Sequence, residues 1–307
     1  MNGTISENSN EINNINFEFF VPKLPKKLAI ALPSSLLEDC PTLREKTVKI
    51  GFIARAVAIY RVEEVIIFKD YRENVPDDSN LMKLLFEYME TPQYLRRKLF
   101  PLRRELQFVG VLPPLCTPHH TLVSKYDSIP SPTIREGIVV KIFNNMSFID
   151  VGLDKLVVIR KKLPINSRVT ILIDKERYHC ELIQDKSKIK VYWGYNVSIH
   201  NEKLSRIKEK FNYDLIIATS RKGDLITNDE IFNKLVKEIK KSKSILILFG
   251  SPKAGLYEIC DYQGIKLNEI TNFVINFIPN QGTRTVRTEE AIYATLSIIN
   301  FIMHKYL

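Results

Sequence analysis

Cysteine is scarce in this chain and scattered. Cys40, Cys116, Cys180 and Cys260 are separated by 76, 64 and 80 residues, so no CxxC pair exists. That excludes zinc ribbons and thioredoxin-type dithiols, and the five histidines add no zinc-type spacing. The adjacent His119 and His120 read as loop residues, and no metal is expected. There is no GxGxxG. The one loop that approaches a P-loop, Phe249–Gly255, runs on into Leu256-Tyr257 where Lys-Ser/Thr is required. Dinucleotide binding and ATP hydrolysis by the common routes are therefore disfavoured. Glycine (11) and proline (15) are too few for a collagenous or low-complexity chain. Long apolar runs are missing too. Ala291–Met303 is interrupted by Thr295, Ser297 and Asn300 and is too short to span a bilayer. Residues 1–20 lack the basic-then-apolar order of a signal peptide. The expectation is a cytoplasmic protein with reduced thiols and no membrane association.

What is present is a globular composition with a basic balance. Over 307 residues, 45% are apolar and 26% charged, and Lys+Arg 45 against Asp+Glu 35 gives a net charge of +10. Such an excess suits an anionic partner, nucleic acid foremost. Along the chain, residues 1–22 form a polar, Asn-rich extension. Leu28–Leu32 reads as a buried strand, Thr42–Tyr60 as a helix with apolar or small residues at Val48, Phe52, Ala56 and Ile59, and Val65–Phe68 as a second strand. That β–α–β order favours parallel pairing. Leu81–Met89 and the basic Tyr94–Phe100 read as helices. The middle of the chain differs. Gly137–Ile142, Ser147–Val151, Leu156–Arg160, Arg168–Asp174, His179–Gln184 and Ile189–Trp193 are short, rich in Val, Ile and aromatics, and separated by turns with no helix between them. Five or six such strands suit a small OB-like β-barrel. From Asp214 the α/β rhythm resumes, with strands at 214–218, 244–249 and 272–277 and a final helix from about Val286. The predicted architecture is an α/β domain, 23–133 with 198–307, interrupted by a barrel at 134–197.

Three loops follow predicted strands, where open parallel sheets place their ligands. Thr219–Gly223 is the first and Phe249–Gly255 the second. The third, IPNQGTRTVRTEEA from Ile278 to Ala291, carries Arg284 and Arg287, with Thr285 or Thr288 available to cap the final helix. Glu289 and Glu290 then fall in its first turn. There a carboxylate can serve the helix dipole, or act as an acid or base. Cations cluster at Arg96, Arg97, Lys98, Arg103 and Arg104, and again at Arg160, Lys161 and Lys162. Tyr94, Phe100 and Phe108 are interleaved with the first cluster. These cations, with Arg284 and Arg287, are the candidate nucleic-acid-binding residues.

The runs LFGSPKAGL, IPNQGTRTVRTEEA and KIGFIARAVAIYRVEEVIIF, with YLRRKLFPLRRELQFVG, TPHH, REGIVV and YWGY, resemble the SPOUT, or α/β-knot, RNA methyltransferases. More narrowly, they resemble the branch with an inserted OB-like domain, which is associated with methylating uridine N3 in ribosomal RNA. The resemblance implies a C-terminal trefoil knot in a mostly parallel sheet, a homodimer, and S-adenosylmethionine as cofactor. It places the cofactor against Thr219, Ser220, Arg221, Phe249, Gly250, Ile278, Pro279, Asn280, Gln281, Gly282 and Thr285. Gly51-Phe52-Ile53-Ala54-Arg55 fits the family's GxxxR element, which makes Arg55 the candidate to approach the acceptor. Sugar-methylating relatives carry Asn two residues before that glycine, where this chain has Lys49, so the resemblance points to a base. Glu289 and Glu290 are the candidate proton acceptors. Two alternatives stay open: a non-catalytic RNA-binding or ribosome-assembly protein on the same scaffold, and a methyltransferase acting on another base or on the ribose 2′-hydroxyl.

Overall fold

The computed structural model describes residues 19–307, so most of the expected extension at 1–22 lies outside the described residues. The chain divides into two compact units. The larger comprises 24–89, 104–113 and 195–307, and the smaller takes in 90–103 and 114–194.

The larger unit is built on six strands: β1 (Lys27–Pro33), β2 (Glu64–Phe68), β8 (Asn196–His200), β9 (Leu215–Leu225), β10 (Ser244–Leu248) and β11 (Phe273–Asn276). They lie in the order β11-β9-β10-β1-β2-β8, and every pairing is parallel. The sequences explain this. LAIAL, VIIF and ILIL are near-continuous apolar runs, the pattern of strands covered on both faces, and each is buried along that length. Helix α1 (Leu43–Ile59) carries the first crossover. Its start is set by a capping box. The Thr42 hydroxyl accepts from the Glu45 amide at 3.2 Å, and a Glu45 carboxylate oxygen accepts from the Thr42 amide at 2.9 Å. Among the described residues the other α-helices are α2 (Ser79–Glu90), α3 (Gln93–Leu99, in the smaller unit), α4 (Ile207–Phe211), α5 (Asp229–Lys241), α6 (Leu256–Tyr262), α7 (Leu267–Ile270) and α8 (Thr288–Tyr306).

The smaller unit holds five antiparallel strands: β3 (Thr133–Phe143), β4 (Met146–Asp150), β5 (Val157–Ile159), β6 (Arg168–Asp174) and β7 (His179–Leu182). Their order is β5-β4-β3-β6-β7, and β5 and β7 approach one another so that the sheet nearly closes. The expected sixth strand, Ile189–Trp193, forms only a bridge from Val191 to Pro22. One face packs Val139, Ile149, Val157, Ile159, Ile171 and Ile173 into an apolar core. Elsewhere the unit is held by buried charge. Glu136 accepts from Arg168 Nε at 2.6 Å, Thr170 Oγ1 at 2.7 Å and Trp193 Nε1 at 2.7 Å. Lys186 pairs with it at 3.1 Å, and the Arg168 fork also grips Glu90 at 2.5 and 3.1 Å. Burial alone would raise the Glu136 carboxyl, but Arg168 and Lys186 outweigh it and bring its pKa down to about 2. His119 and His120 are loop residues, as expected, but fully enclosed ones. Both aim Nε2 at the Glu90 carbonyl oxygen at 2.8 Å.

Candidate active site

The site begins with a fault in the sheet. Val274 of β11 pairs with Ala218 of β9, yet the next residue, Ile275, pairs with Asp224. Thr219–Gly223 are thus expelled from the β9–β11 ladder as a long bulge, which frees backbone groups to face a ligand. The bulge returns at Gly223, where a Cβ would stand 2.6 Å from the Val274 carbonyl oxygen, so only glycine allows the close approach.

The bulge, the loop after β10 and the loop after β11 enclose a cavity of about 310 Å³, within the range of small-molecule sites. Of the residues expected at a cofactor, Thr219, Ser220, Arg221, Phe249, Gly250, Ile278, Gln281 and Thr285 line it. Pro279, Asn280 and Gly282 sit on the same third loop without lining it. Asn276 joins two of the loops: its Nδ2 donates to the Arg221 carbonyl at 3.2 Å, and its Oδ1 accepts from the Ile278 amide at 3.0 Å. Thr219 Oγ1 donates to the Leu248 carbonyl at 3.0 Å, and Thr288 Oγ1 to the Gly250 carbonyl at 3.3 Å. Apolar walls from Phe249, Ile275 and Phe277 face a rim bearing Arg221, Lys222, Lys253, Arg284 and Glu258.

Sequence reasoning missed two contributions. The first is the wall provided by Tyr257 and Glu258 of α6 and by Thr288, Ala291 and Thr295 of α8. The small residues at i, i+3 and i+7 of the final helix were its readable signal. The second is a buried clamp under the loop after β10. Glu38 accepts from Ser251 Oγ at 2.5 Å and from the Lys253 amide at 3.1 Å. Arg72 Nη2 lies 3.1 Å from Ser251 Oγ, 2.6 Å from Asp70 and 3.4 Å from Glu38. Burial opposes the Arg72 charge, but Asp70 and Glu38 more than compensate and hold the guanidinium above its usual basicity. The carboxylates of Glu38 and Asp70 are 5% and 0% exposed, so the anchor is shielded from water. Glu38, Asp70 and Arg72 belong to no short motif, which is why spacing could not reveal them.

The other expected site residues are placed as follows. Arg55 is half-buried on α1 and does not line the cavity. Gly51, which opens its motif, makes room for Leu112, whose Cδ2 would lie 2.7 Å from a Cβ at that position. Glu290 closes the cap of α8 by accepting from the Arg287 amide at 2.9 Å. Glu289 pairs at 3.4 Å with Lys49, which is buried on α1 and also bonds Asp39 at 2.7 Å. Lys49 thereby links the loop after β1 to the start of α8. Arg97, Arg103, Arg104, Arg160, Lys161, Lys162, Arg284 and Arg287 are exposed. Arg96 is half-buried, donating through Nε to the Thr91 carbonyl at 2.9 Å, and Lys98 is paired with Asp150. Tyr94 is taken up by the fold: its hydroxyl donates to the Glu136 carbonyl at 3.0 Å and its ring lies 5.0 Å from the Arg135 guanidinium.

A cavity at the carboxyl ends of three parallel strands, walled by loops with released backbone, can hold a nucleoside-like cofactor. The comparisons with known proteins agree with that chemistry. The family described as "Putative RNA methyltransferase" matches residues 27–299. A human 28S rRNA (uridine-N(3))-methyltransferase is 30% identical over 306 residues, covering 90% of this chain and 78% of that protein. Its namesake in Drosophila melanogaster is 30% identical over 313 residues, covering 90% of this chain and 62% of the fly protein. An uncharacterized protein of Halobacterium salinarum is 28% identical over 285 residues, covering 87% of this chain and 96% of its own length. The match along the greater part of the sequence shows that the chain belongs to this family of RNA methyltransferases.

Proposed function

We propose that the protein is a homodimeric, S-adenosylmethionine-dependent methyltransferase acting on N3 of a uridine in large-subunit ribosomal RNA. The observation that carries the reading is the convergence of Thr219–Arg221, Phe249–Gly250, Ile278, Gln281 and Thr285 on one cavity. Released backbone at 219–223 suits the adenine edge, Phe249 and Ile278 offer apolar contact, and Lys222, Lys253 or Arg284 at the rim can meet a carboxylate. The bound cofactor would supply an electrophilic methyl group for in-line displacement, so the protein's part is alignment. The names of the human and fly relatives support uridine N3 as the acceptor.

Uridine N3 carries a proton at neutral pH and lies on the pairing edge, so the base must be unpaired when it reacts. A cation beside a uracil carbonyl oxygen favours the N3 anion, and we assign that role to Arg55. Phe52, Arg55 and Ile59 share one face of α1, and Phe52 and Ile59 are about half exposed. An apolar face of that kind supports a subunit contact that brings Arg55 to the partner's cavity. Of the two candidate proton acceptors, Glu290 is engaged in the helix cap. Glu289 makes no hydrogen bond through its buried Oε2, which faces Lys49 at 3.4 Å, and we assign the proton to it. The segment 278–287 we read as part of the trefoil crossing, and the cytoplasm as the compartment, as the sequence reading of the cysteines suggests. Mass spectrometry of ribosomal RNA nucleosides from cells with and without the gene, together with transfer of labelled methyl by the purified protein, tests the proposal. Loss of 3-methyluridine on deletion is expected. An unchanged nucleoside profile with no transfer would point instead to a non-catalytic RNA-binding protein.

A further inference from the structure

The outer face of β3, β4 and β5 has no role in the cofactor cavity. Val139 of β3 points into the barrel core opposite Ile149, but a bulge follows before Lys141 pairs with Phe148. The extra residue shifts the alternation, so Lys141 and Phe143 face outward where an unbroken strand would have turned them inward. Their partners on β4, Phe148 and Met146, and Val158 of β5 beside Phe148, lie on the same outer face. The side chains confirm the register: Lys141 Nζ stands 5.7 Å from the Phe143 ring centroid and 5.8 Å from that of Phe148. Phe143 is 55% exposed at the tip of the hairpin, where Asn144 and Asn145 both have positive φ and make the turn. Arg160, Lys161 and Lys162, all exposed, follow directly on β5. Asp150, farther along β4, is paired with Lys98.

An exposed Phe143 and a partly exposed Phe148, bridged by a lysine and followed along the chain from β5 by three exposed cations, match a polyanion with flat, unstacked rings. A purely apolar protein partner would leave the cations unpaired, and a duplex hides its base faces. We infer that this face binds a single-stranded segment of RNA, with bases stacked on Phe143 and Phe148 and phosphates held by Lys141, Arg160, Lys161 and Lys162. The inference rests on the reading of the protein as an RNA methyltransferase and adds the place where an unpaired stretch of substrate is held. Stacking of this kind tolerates any base, so the face contributes affinity and the catalytic cavity contributes the choice of nucleotide.

The test uses the full-length protein, a labelled oligouridine 12-mer and an RNA duplex of equal length, followed by fluorescence anisotropy over a salt series. Phe143→Ala should weaken single-strand binding about tenfold, leave its salt dependence intact and leave duplex binding unchanged. Phe143→Trp should restore affinity. Replacing Arg160, Lys161 and Lys162 with Gln should lower the slope of log affinity against log salt by about 2. Binding by Phe143→Ala equal to that of the unaltered protein, or equal losses for single strand and duplex, would overturn the inference. Calorimetry with S-adenosylmethionine separates the two readings. A protein that binds the cofactor but is indifferent at Phe143 loses this face alone. One that binds no cofactor yet responds at Phe143 loses the methyltransferase reading and keeps the face.

Discussion

Replacing Glu38 with alanine should weaken cofactor binding although Glu38 does not line the cavity. The substitution removes the acceptor of Ser251 Oγ and of the Lys253 amide and takes one of two carboxylates from Arg72. Charge-assisted hydrogen bonds are worth about 1.5–3 kcal/mol each. Part of the loss is recovered, because Ser251 Oγ still accepts from the Ala254 amide at 3.0 Å and Arg72 still holds Asp70 at 2.6 Å. A net loss of about 3 kcal/mol for the anchored conformation of 249–255 follows. If the cofactor binds only that conformation, its affinity falls by up to about 150-fold, at roughly 1.4 kcal/mol per factor of ten. Glu38→Gln keeps an oxygen acceptor for both bonds and loses only the charge facing Arg72, so it should cost about 1 kcal/mol and less than tenfold. Calorimetric titration with S-adenosylmethionine gives both constants. Amide exchange at residues 251–255 reports whether the loop has been released. Equal affinity in the alanine and unaltered proteins, or equal losses in the alanine and glutamine variants, would refute the clamp.

The smaller unit should lose stability as pH falls. Burial chiefly, with His119 nearby, depresses His120 to about 3 from an ordinary 6.5, and Glu136 lies at about 2 against 4.5. Both are lower folded than unfolded, so the stability they contribute is complete above pH 6.5 and drains as pH drops towards 3 and then 2, at about 1.4 kcal/mol per pH unit for each proton. Trp193, the single tryptophan, sits in this network, and its fluorescence follows urea unfolding of the unit; a midpoint constant between pH 6.5 and 4.5 would contradict the reading. Gly223→Ala should destabilise by about 1–3 kcal/mol and loosen cofactor binding, since the Val274 carbonyl must yield, and unchanged calorimetric titration would count against the bulge as part of the site. Lys49→Met and Glu289→Gln should be non-additive in denaturation, with a coupling of about 1 kcal/mol across their 3.4 Å contact. Additivity within about 0.4 kcal/mol would show the pair to be inert.

The elements that sequence made legible are those whose cause is local. LAIAL, SILIL and DLIIA are apolar without alternation, and only strands covered on both faces read so. Thr42 and Glu45 stand at capping-box spacing, and the helix begins where that spacing requires. The three strand-end loops were visible as polar, Gly- or Pro-bearing stretches after such runs, and the cavity forms among them. What stayed hidden depends on residues that meet only in the fold. The bulge at 219–223 exists because β11 rejoins β9 five residues late, a register that no window of sequence contains. Glu38 and Ser251 are 213 residues apart, and Glu90 and Arg168 are 78 apart.

Charge shows the same division between what composition can and cannot say. Over Ile134–Val197 the sequence has 12 Lys and Arg against seven carboxylates, a balance that treats every cation alike. Arg135 is 2% exposed, and Arg168 has both ends of its fork on buried carboxylates, so neither is available to RNA. Glu136 is buried with them. Ten cations and six carboxylates remain, so the surface excess survives, but its distribution changes. Lys186 is tied to Glu136 and Lys155 lies 3.3 Å from Asp127, whereas Lys141 stands 5.7 Å from the exposed Phe143 ring and Arg160, Lys161 and Lys162 are exposed at the end of β5. A net charge therefore forecasts an anionic partner, and the direction in which a single β-bulge turns Lys141 and Phe143 decides where that partner can lie.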